Sequence, residues 1–267
     1  MTRQELKTQA KDIFRRRIKA ILIASLIYVV LSLAVSEFSS YAMGQRRVLA
    51  YINTVRDTIS AEHYALINFD ANEVYGNIFR LFNTVGIAIS VVVGILVNVL
   101  FAGYRWFLLR TKRGEEPSVT AVFSSFSKTG KLALLIILQT LFISLWLMLF
   151  VIPGIFAALR YSQAVYIMYD HPEYSALECI RESKRMMRGM EGSYFTLLLS
   201  FIGWYLLSAV VVVFAGAVIP DVGEYIGTYV IGVLFDLFLV PYAQLTFAGY
   251  YDDLRRNAHS QNDDLYL

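Results

Sequence analysis

The stretch Lys131–Pro172, KLALLIILQTLFISLWLMLFVIPGIFAALRYSQAVYIMYDHP, decides how this chain folds. It opens with an apolar run of about twenty residues, the length that crosses a hydrocarbon core. Pro153-Gly154 follows, and then a second apolar run carrying Arg160, Tyr161 and Gln163. The number of times this stretch crosses a membrane sets the side on which everything after it lies.

Composition makes the membrane reading the right one. Hydrophobic residues are 57% of the 267 and charged residues only 17%, against about 25% charged in an ordinary globular domain. Mean hydropathy is +0.53. The apolar residues gather in nearly uncharged runs, which a soluble all-α protein has no reason to repeat several times in one chain. The expected fold is all-α: a single polytopic bundle of transmembrane helices with amphipathic interfacial helices attached. The single cysteine, Cys179, excludes an internal disulfide and a cysteine-based metal site. His63, His171 and His259 lack ligand spacing, so neither a metal nor a cofactor is expected.

Six membrane segments are predicted, at about 18–35, 78–103, 132–152, 153–170, 194–219 and 226–250. Ahead of them, Thr2 and Glu5 have capping-box spacing. Leu6, Ala10, Ile13, Phe14 and Ile18 then recur at helical spacing opposite Arg3, Lys7, Lys11 and Arg15, the pattern of a helix lying in the lipid interface. A secretory signal peptide ending at Ala34-Val35-Ser36 is the rival, but the long charged segment favours an uncleaved anchor. Residues 36–77 form a hydrophilic excursion, with Val48, Ile52, Val55, Ile59 and Leu66 marking an amphipathic helix and Asn68–Asn77 a loop. The second segment ends at Gly103-Tyr104-Arg105-Trp106, an aromatic and cationic interface anchor. After Glu115-Glu116-Pro117-Ser118, a short amphipathic helix places Val119, Val122, Phe123 and Phe126 on one face. A basic helix is expected over 172–188, with Pro172 in its first turn, Arg181, Lys184, Arg185 and Arg188 as its charge and Gly189 as its terminator.

Charge then counts the crossings. Lys and Arg favour the cytoplasmic side. Residues 1–19 hold seven, residues 104–131 hold six, and residues 160–193 hold five, four of them between Arg181 and Arg188. Residues 36–77 hold three, beside five acids. All three basic segments belong inside, which demands an even number of crossings between Lys131 and Arg181. Two arms hinged at Pro153-Gly154 satisfy that, with the second arm either just spanning or re-entering from the cytoplasmic side. Both termini are then cytoplasmic and the membrane is the cell membrane.

These residues also carry a resemblance. Ile152-Pro153-Gly154-Ile155, Arg160-Tyr161-Ser162, the Pro172, Ser183, Met187 and Gly189 series, Leu199-Ser200-Phe201-Ile202-Gly203-Trp204, and Pro241-Tyr242 with Tyr250-Tyr251 resemble a bacterial, mainly Gram-positive, integral membrane family of unknown function. The Pro-Gly hinge followed by a basic helix is more distantly similar to the membrane domain of glycerophosphodiester phosphodiesterases. The resemblance implies architecture and no reaction, because no phosphodiesterase domain accompanies it and Met190-Glu191-Gly192 departs from the family's basic or aromatic residue after the glycine at 189.

Ionisable groups at membrane depth are costly and so are candidates for function. Arg160 and Asp236 qualify, at matched depth and with opposite charge, and are expected to face each other inside the bundle. A plain structural ion pair is the simpler alternative. Asn98, Gln139, Ser144, Gln163, Ser200 and Gln244 fit interhelical hydrogen bonding. No phosphate-binding loop, dinucleotide fingerprint, nucleophile elbow or zinc motif occurs, so no catalytic residue is nominated and no enzyme is expected. Nor does the pattern match a nucleic-acid module. The partners this implies are membrane lipids, anionic head groups at the cytoplasmic basic helices above all, together with a protein partner or a second copy of the chain. The function expected is that of a membrane-organising, lipid- or partner-binding component. The alternative is a small transporter or channel-like protein working through Arg160 and Asp236.

Overall fold

The computed structural model describes residues 1–61, 84–218 and 230–263. The elements are α1 (Arg3–Arg16), α2 (Ile18–Met43), α3 (Gln45–Ala61), α4 (Thr84–Lys112), a 3-10 helix (Val119–Lys128), α5 (Thr129–Leu149), α6 (Val151–Tyr161), α7 (Ala164–Asp170), α8 (Ala176–Met186), α9 (Glu191–Val218) and α10 (Val233–Asp263), with no strand among the described residues. Six helical stretches are long and apolar enough to cross a membrane: Ile18–Met43, Thr84–Lys112, Val119–Leu149, Val151–Asp170, Glu191–Phe214 and Val230–Asn257. Large apolar side chains stand exposed along them, such as Leu26, Val91, Leu141, Leu206 and Val213. This is the make-up of an all-α, multi-pass membrane protein. The loop expected over Asn68–Asn77 and the segment starts at Ile78 and Ile226 lie outside the described residues.

The chain groups into two compact units, Val30–Val97 and the remainder. Within the first, the second half of α2 runs against the first half of α4. Gly86 makes the close approach possible, because a Cβ there would collide with the Ala42 carbonyl. The Ser90 hydroxyl donates to the Ser39 carbonyl nearby at 3.4 Å.

The larger unit has a closed core at one end, where aromatic and aliphatic side chains of many elements meet. Trp106, Leu132, Tyr166, Met168, Cys179 and Tyr251 join the ends of α4 and α5 to α7, α8 and α10. Leu6, Met187, Tyr194, Phe201 and Phe247 join α1, α9 and α10. Ala10, Ile21, Tyr104, Val122 and Leu245 bring in α2 and the 3-10 helix. Gly103 admits that 3-10 helix, since a Cβ there would stand 2.5 Å from Ser125 Oγ. The capping box of α1 forms as the spacing predicts, Glu5 N–H donating to Thr2 Oγ1 and Thr2 N–H to Glu5 Oε2. Part of the apolar face of α1 packs on protein. Leu6 and Ala10 are 3% and 0% exposed, because α10 extends as one helix beyond the apolar zone and offers them a protein surface.

The hinge of the opening stretch lies three residues before its predicted place. Phe150 alone separates α5 from α6, with extended dihedrals of φ −156° and ψ 143°. Its N–H donates to Trp146 O at 2.9 Å, and its carbonyl accepts from Gly154 N–H at 3.2 Å. Pro153 sits in the first turn of α6, where a missing N–H removes a donor that would have no helical partner. Gly154 lets the two arms touch: a Cβ at 154 would stand 2.5 Å from Leu147 Cγ and 3.0 Å from its Cα. The dipeptide therefore shapes the hairpin without being its turn. A second break, not predicted, falls at Ser162-Gln163 between α6 and α7.

Candidate functional site

The second break is held open by side chains. Ser183 of α8 donates from Oγ to Arg160 O at 2.7 Å and accepts from Gln163 N–H at 3.1 Å, replacing bonds a continuous helix would make. Gln139 of α5 donates from Nε2 to Tyr161 O at 2.7 Å, and Arg105 of α4 donates from Nη2 to Ser162 O at 3.2 Å. The freed carbonyls of the break thus each find a donor from a different helix, which is how irregular backbone persists inside a membrane protein.

A lateral cavity of about 280 Å³ opens beside this break. Its polar part comes from Asn98, Arg105, Gln139, Thr140 and Ser162, and its walls include Phe101, Ile136 and Ile143. The Arg105 guanidinium stacks over the Tyr166 ring, 4.2 Å from the centroid. No carboxylate pairs with it among the described residues. Arg105 Nε, Gln163 Oε1 and Tyr166 Oη are buried without a hydrogen-bond partner, although such atoms are nearly always satisfied. Tyr194 of α9 lies beside Ser162 and Gln163. The sequence pattern marks Arg105 as part of an interface anchor and Gln163 as interhelical glue, and only the fold brings them to one place.

The expected pairing of Arg160 with Asp236 is not made. Arg160 Nε donates instead to Glu191 Oε1 at 2.7 Å. Glu191 opens α9, where the positive end of the helix dipole favours a carboxylate. No hydrogen bond or ion pair involves Asp236 among the described residues.

At the closed end of the larger unit, Arg113 gathers two carboxylates. Its Nη1 and Nη2 donate to Asp170 Oδ1 and Oδ2 at 2.6 and 2.8 Å. Its Nε and Nη2 reach Asp252 Oδ1 at 3.1 and 2.9 Å. Asp170 also accepts from the Tyr251 hydroxyl at 2.8 Å and from Arg255 at 3.2 Å. Burial opposes the charge on Arg113, yet its bonds to Asp170 and Asp252 hold its pKa above the usual arginine value. The network clasps the ends of α4 and α7 to α10.

The basic helix runs over Ala176–Met186, capped by Ser175 with Glu178. One face, with Cys179, Ile180 and Ser183, is buried against the bundle. The other exposes Arg181 and Lys184, with Arg188 exposed in the turn that follows, while Arg185 is engaged by Glu182 at 2.6 Å. Pro172 precedes the helix in the turn, its carbonyl accepting from Lys131 Nζ at 2.8 Å.

Residues 147–258 match a family model described as "Protein of unknown function (DUF975)". The matched part begins at the hairpin tip and includes the break, the Arg113 partners and the basic helix, but not Arg105 or Arg113. No curated protein and no solved structure matches the chain.

Proposed function

We propose that this chain is a non-enzymatic membrane component that binds and orders lipids of one leaflet, with the α5–α6 hairpin dipping into that leaflet from a basic root. The hairpin tip is the observation that supports this. Met148, Leu149, Phe150, Val151 and Ile152 are five consecutive apolar residues, each between 64% and 85% exposed, a composition suited to hydrocarbon and not to water. Measured along the helices from the level of the break, the tip ends early. From Gln139 to Leu149 is about 15 Å, whereas from Tyr194 to Val218 is about 36 Å, at 1.5 Å per residue. A tip that stops about 20 Å short of its neighbour ends within a bilayer core of about 30 Å. The satisfied backbone of Phe150 makes such a turn tolerable there.

The root supplies the head-group contacts. Lys131, Arg181, Lys184 and Arg188 are exposed there, and each cation near an anionic surface adds about 1 kcal/mol of attraction. The basic ends and both termini are placed on the cytoplasmic face of the cell membrane, and a re-entrant hairpin preserves that placement. Purification in lipid nanodiscs of mixed composition tests the reading. The chain is expected to retain anionic over zwitterionic phospholipid, and the variant Arg181→Gln/Lys184→Gln/Arg188→Gln to lose most of that preference. Equal preference in both proteins would refute it.

A second reading, a small transporter, is favoured by the broken helix beside a polar cavity, since discontinuous helices build transporter sites. Asp236→Asn separates the two: loss of a transported solute with assembly intact would favour transport, and no effect would favour the lipid-binding reading.

A further inference from the structure

The cavity beside the Ser162-Gln163 break has a chemistry of its own. A guanidinium carries five N–H donors. Among the described residues Arg105 uses one, on the Ser162 carbonyl. Its Nε is buried and unpartnered, and the Tyr166 ring beneath it holds the plane of the fork in place. Gln163 and Tyr166 are each 0% exposed and each leave a polar atom without a partner close by. Thr140 and Asn98, at the mouth, are exposed.

Depth matches a lipid's polar group. Exposed apolar side chains along α4 end at Leu96, and the residues from Tyr104 to Leu109 other than Arg105 are buried. Arg105 therefore lies where the lipid-facing surface gives way to the closed core. Hydrocarbon alone against a cation is unfavourable, so an uncompensated guanidinium beside this opening favours an anion. The apolar walls of Phe101, Ile136 and Ile143 continue from the polar floor toward the opening, and they suit acyl chains.

We infer that this groove is a specific site for one anionic phospholipid, its phosphate bound by Arg105 and its chains leaving between α4 and α5. The inference rests on the lipid-binding reading above, and it assigns that reading one stoichiometric site. The groove is distinct from the exposed cations of α8, which contact many head groups at once. A phosphate presents several acceptor oxygens to the planar fork, the geometry that arginine matches and lysine does not. The Ser162 hydroxyl and the Gln139 amide line the rest of the polar floor.

Native mass spectrometry of protein released from nanodiscs holding equal parts of an anionic and a zwitterionic phospholipid reads the site directly. One anionic phospholipid is expected to stay bound. In Arg105→Gln its occupancy falls about ten-fold or more, the scale of one charge-assisted hydrogen bond, while Arg105→Lys is intermediate. Thr140→Trp, which fills the mouth from an exposed position, should expel the lipid and leave Arg105 intact, so it carries the test if Arg105→Gln folds poorly. The α8 triple glutamine variant should keep the single lipid while losing its general anionic preference, so failure of the surface reading and failure of the groove are seen separately. Full retention in Thr140→Trp and Arg105→Gln overturns the proposal. Displacement of the lipid by excess inorganic phosphate alone also overturns it, because the site would then recognise the free anion.

Discussion

Replacing Arg113 with alanine removes the guanidinium on which Asp170 and Asp252 converge. The Asp170 and Asp252 side chains are 8% and 12% exposed, and that of Arg113 is 19% exposed. Breaking a buried ion pair by deleting one partner costs about 3–5 kcal/mol, because a buried charge loses its compensation. Two features reduce that figure here. Asp170 keeps its bonds from Tyr251 and Arg255, and Asp252 is close enough to the surface to recruit water. The expected loss is about 2–3 kcal/mol. In a helical assembly of this size that lowers the melting temperature by about 5–10 °C. Thermal aggregation in mild detergent, followed by the fraction remaining soluble, measures it. Arg113→Lys should lose about half as much, since it keeps the charge but not the fork that grips both oxygens of Asp170. The double variant Arg113→Ala/Asp170→Ala should be less destabilised than the two single changes added together, because it leaves fewer stranded charges. A melting temperature for Arg113→Ala within 1 °C of the parent, or strict additivity in the double variant, would refute the clasp.

Other consequences are local. Gly154→Ala forces a methyl against Leu147 Cγ and Cα and should destabilise by about 1–3 kcal/mol as overpacking does, whereas Gly203→Ala, which meets nothing within 4 Å, should be neutral in the same melt. Ser183→Ala strips the break of its donor to Arg160 O and its acceptor for Gln163 N–H. It should cost about 1–3 kcal/mol, and exchange of the Gln163 amide should rise with it. Cys179 is fully buried, and burial pushes its thiol up to about 11. At pH 8 about one thiol in a thousand is thiolate, the reactive form, so maleimide should leave Cys179 unmodified on either side of the membrane until the protein is denatured.

The six apolar stretches were legible in the sequence because span length and low charge density are local properties that need no partner. So was the capping box of α1, whose two residues are three apart in the chain. The hinge was displaced because proline marks a helix's first turn as well as it marks a bend, and here Phe150 makes the turn while Pro153 follows it. The break at Ser162-Gln163 had no local signal. Its stabilising atoms come from Ser183, Gln139 and Arg105 on three other elements. Arg160 and Asp236 were matched by counting residues along helices, a count that gives depth but not facing, and Arg160 pairs with Glu191 instead. The apolar face of α1 looked like a lipid-facing stripe, since periodicity shows that a face is buried but not in what. Arg105 shows the same limit from the other side. An arginine next to Trp106 near a span's end has the signature of an interface anchor, and the orphaned atoms around it exist only once α4, α6 and α7 have met.

The depth of the hairpin tip tests the account most directly. A nitroxide attached at Met148→Cys in a Cys179→Ala background, in reconstituted bilayers, reports collision with dissolved oxygen and with a water-soluble nickel chelate. Met148 is 85% exposed in the protein, so its label reads the surrounding medium. A second label at Lys184→Cys, exposed on α8, supplies the aqueous reference. The re-entrant hairpin predicts that the Met148 label collides freely with oxygen and is shielded from the chelate, while the Lys184 label meets the chelate. Ready access of the chelate to the Met148 label would place the tip in water and contradict the account.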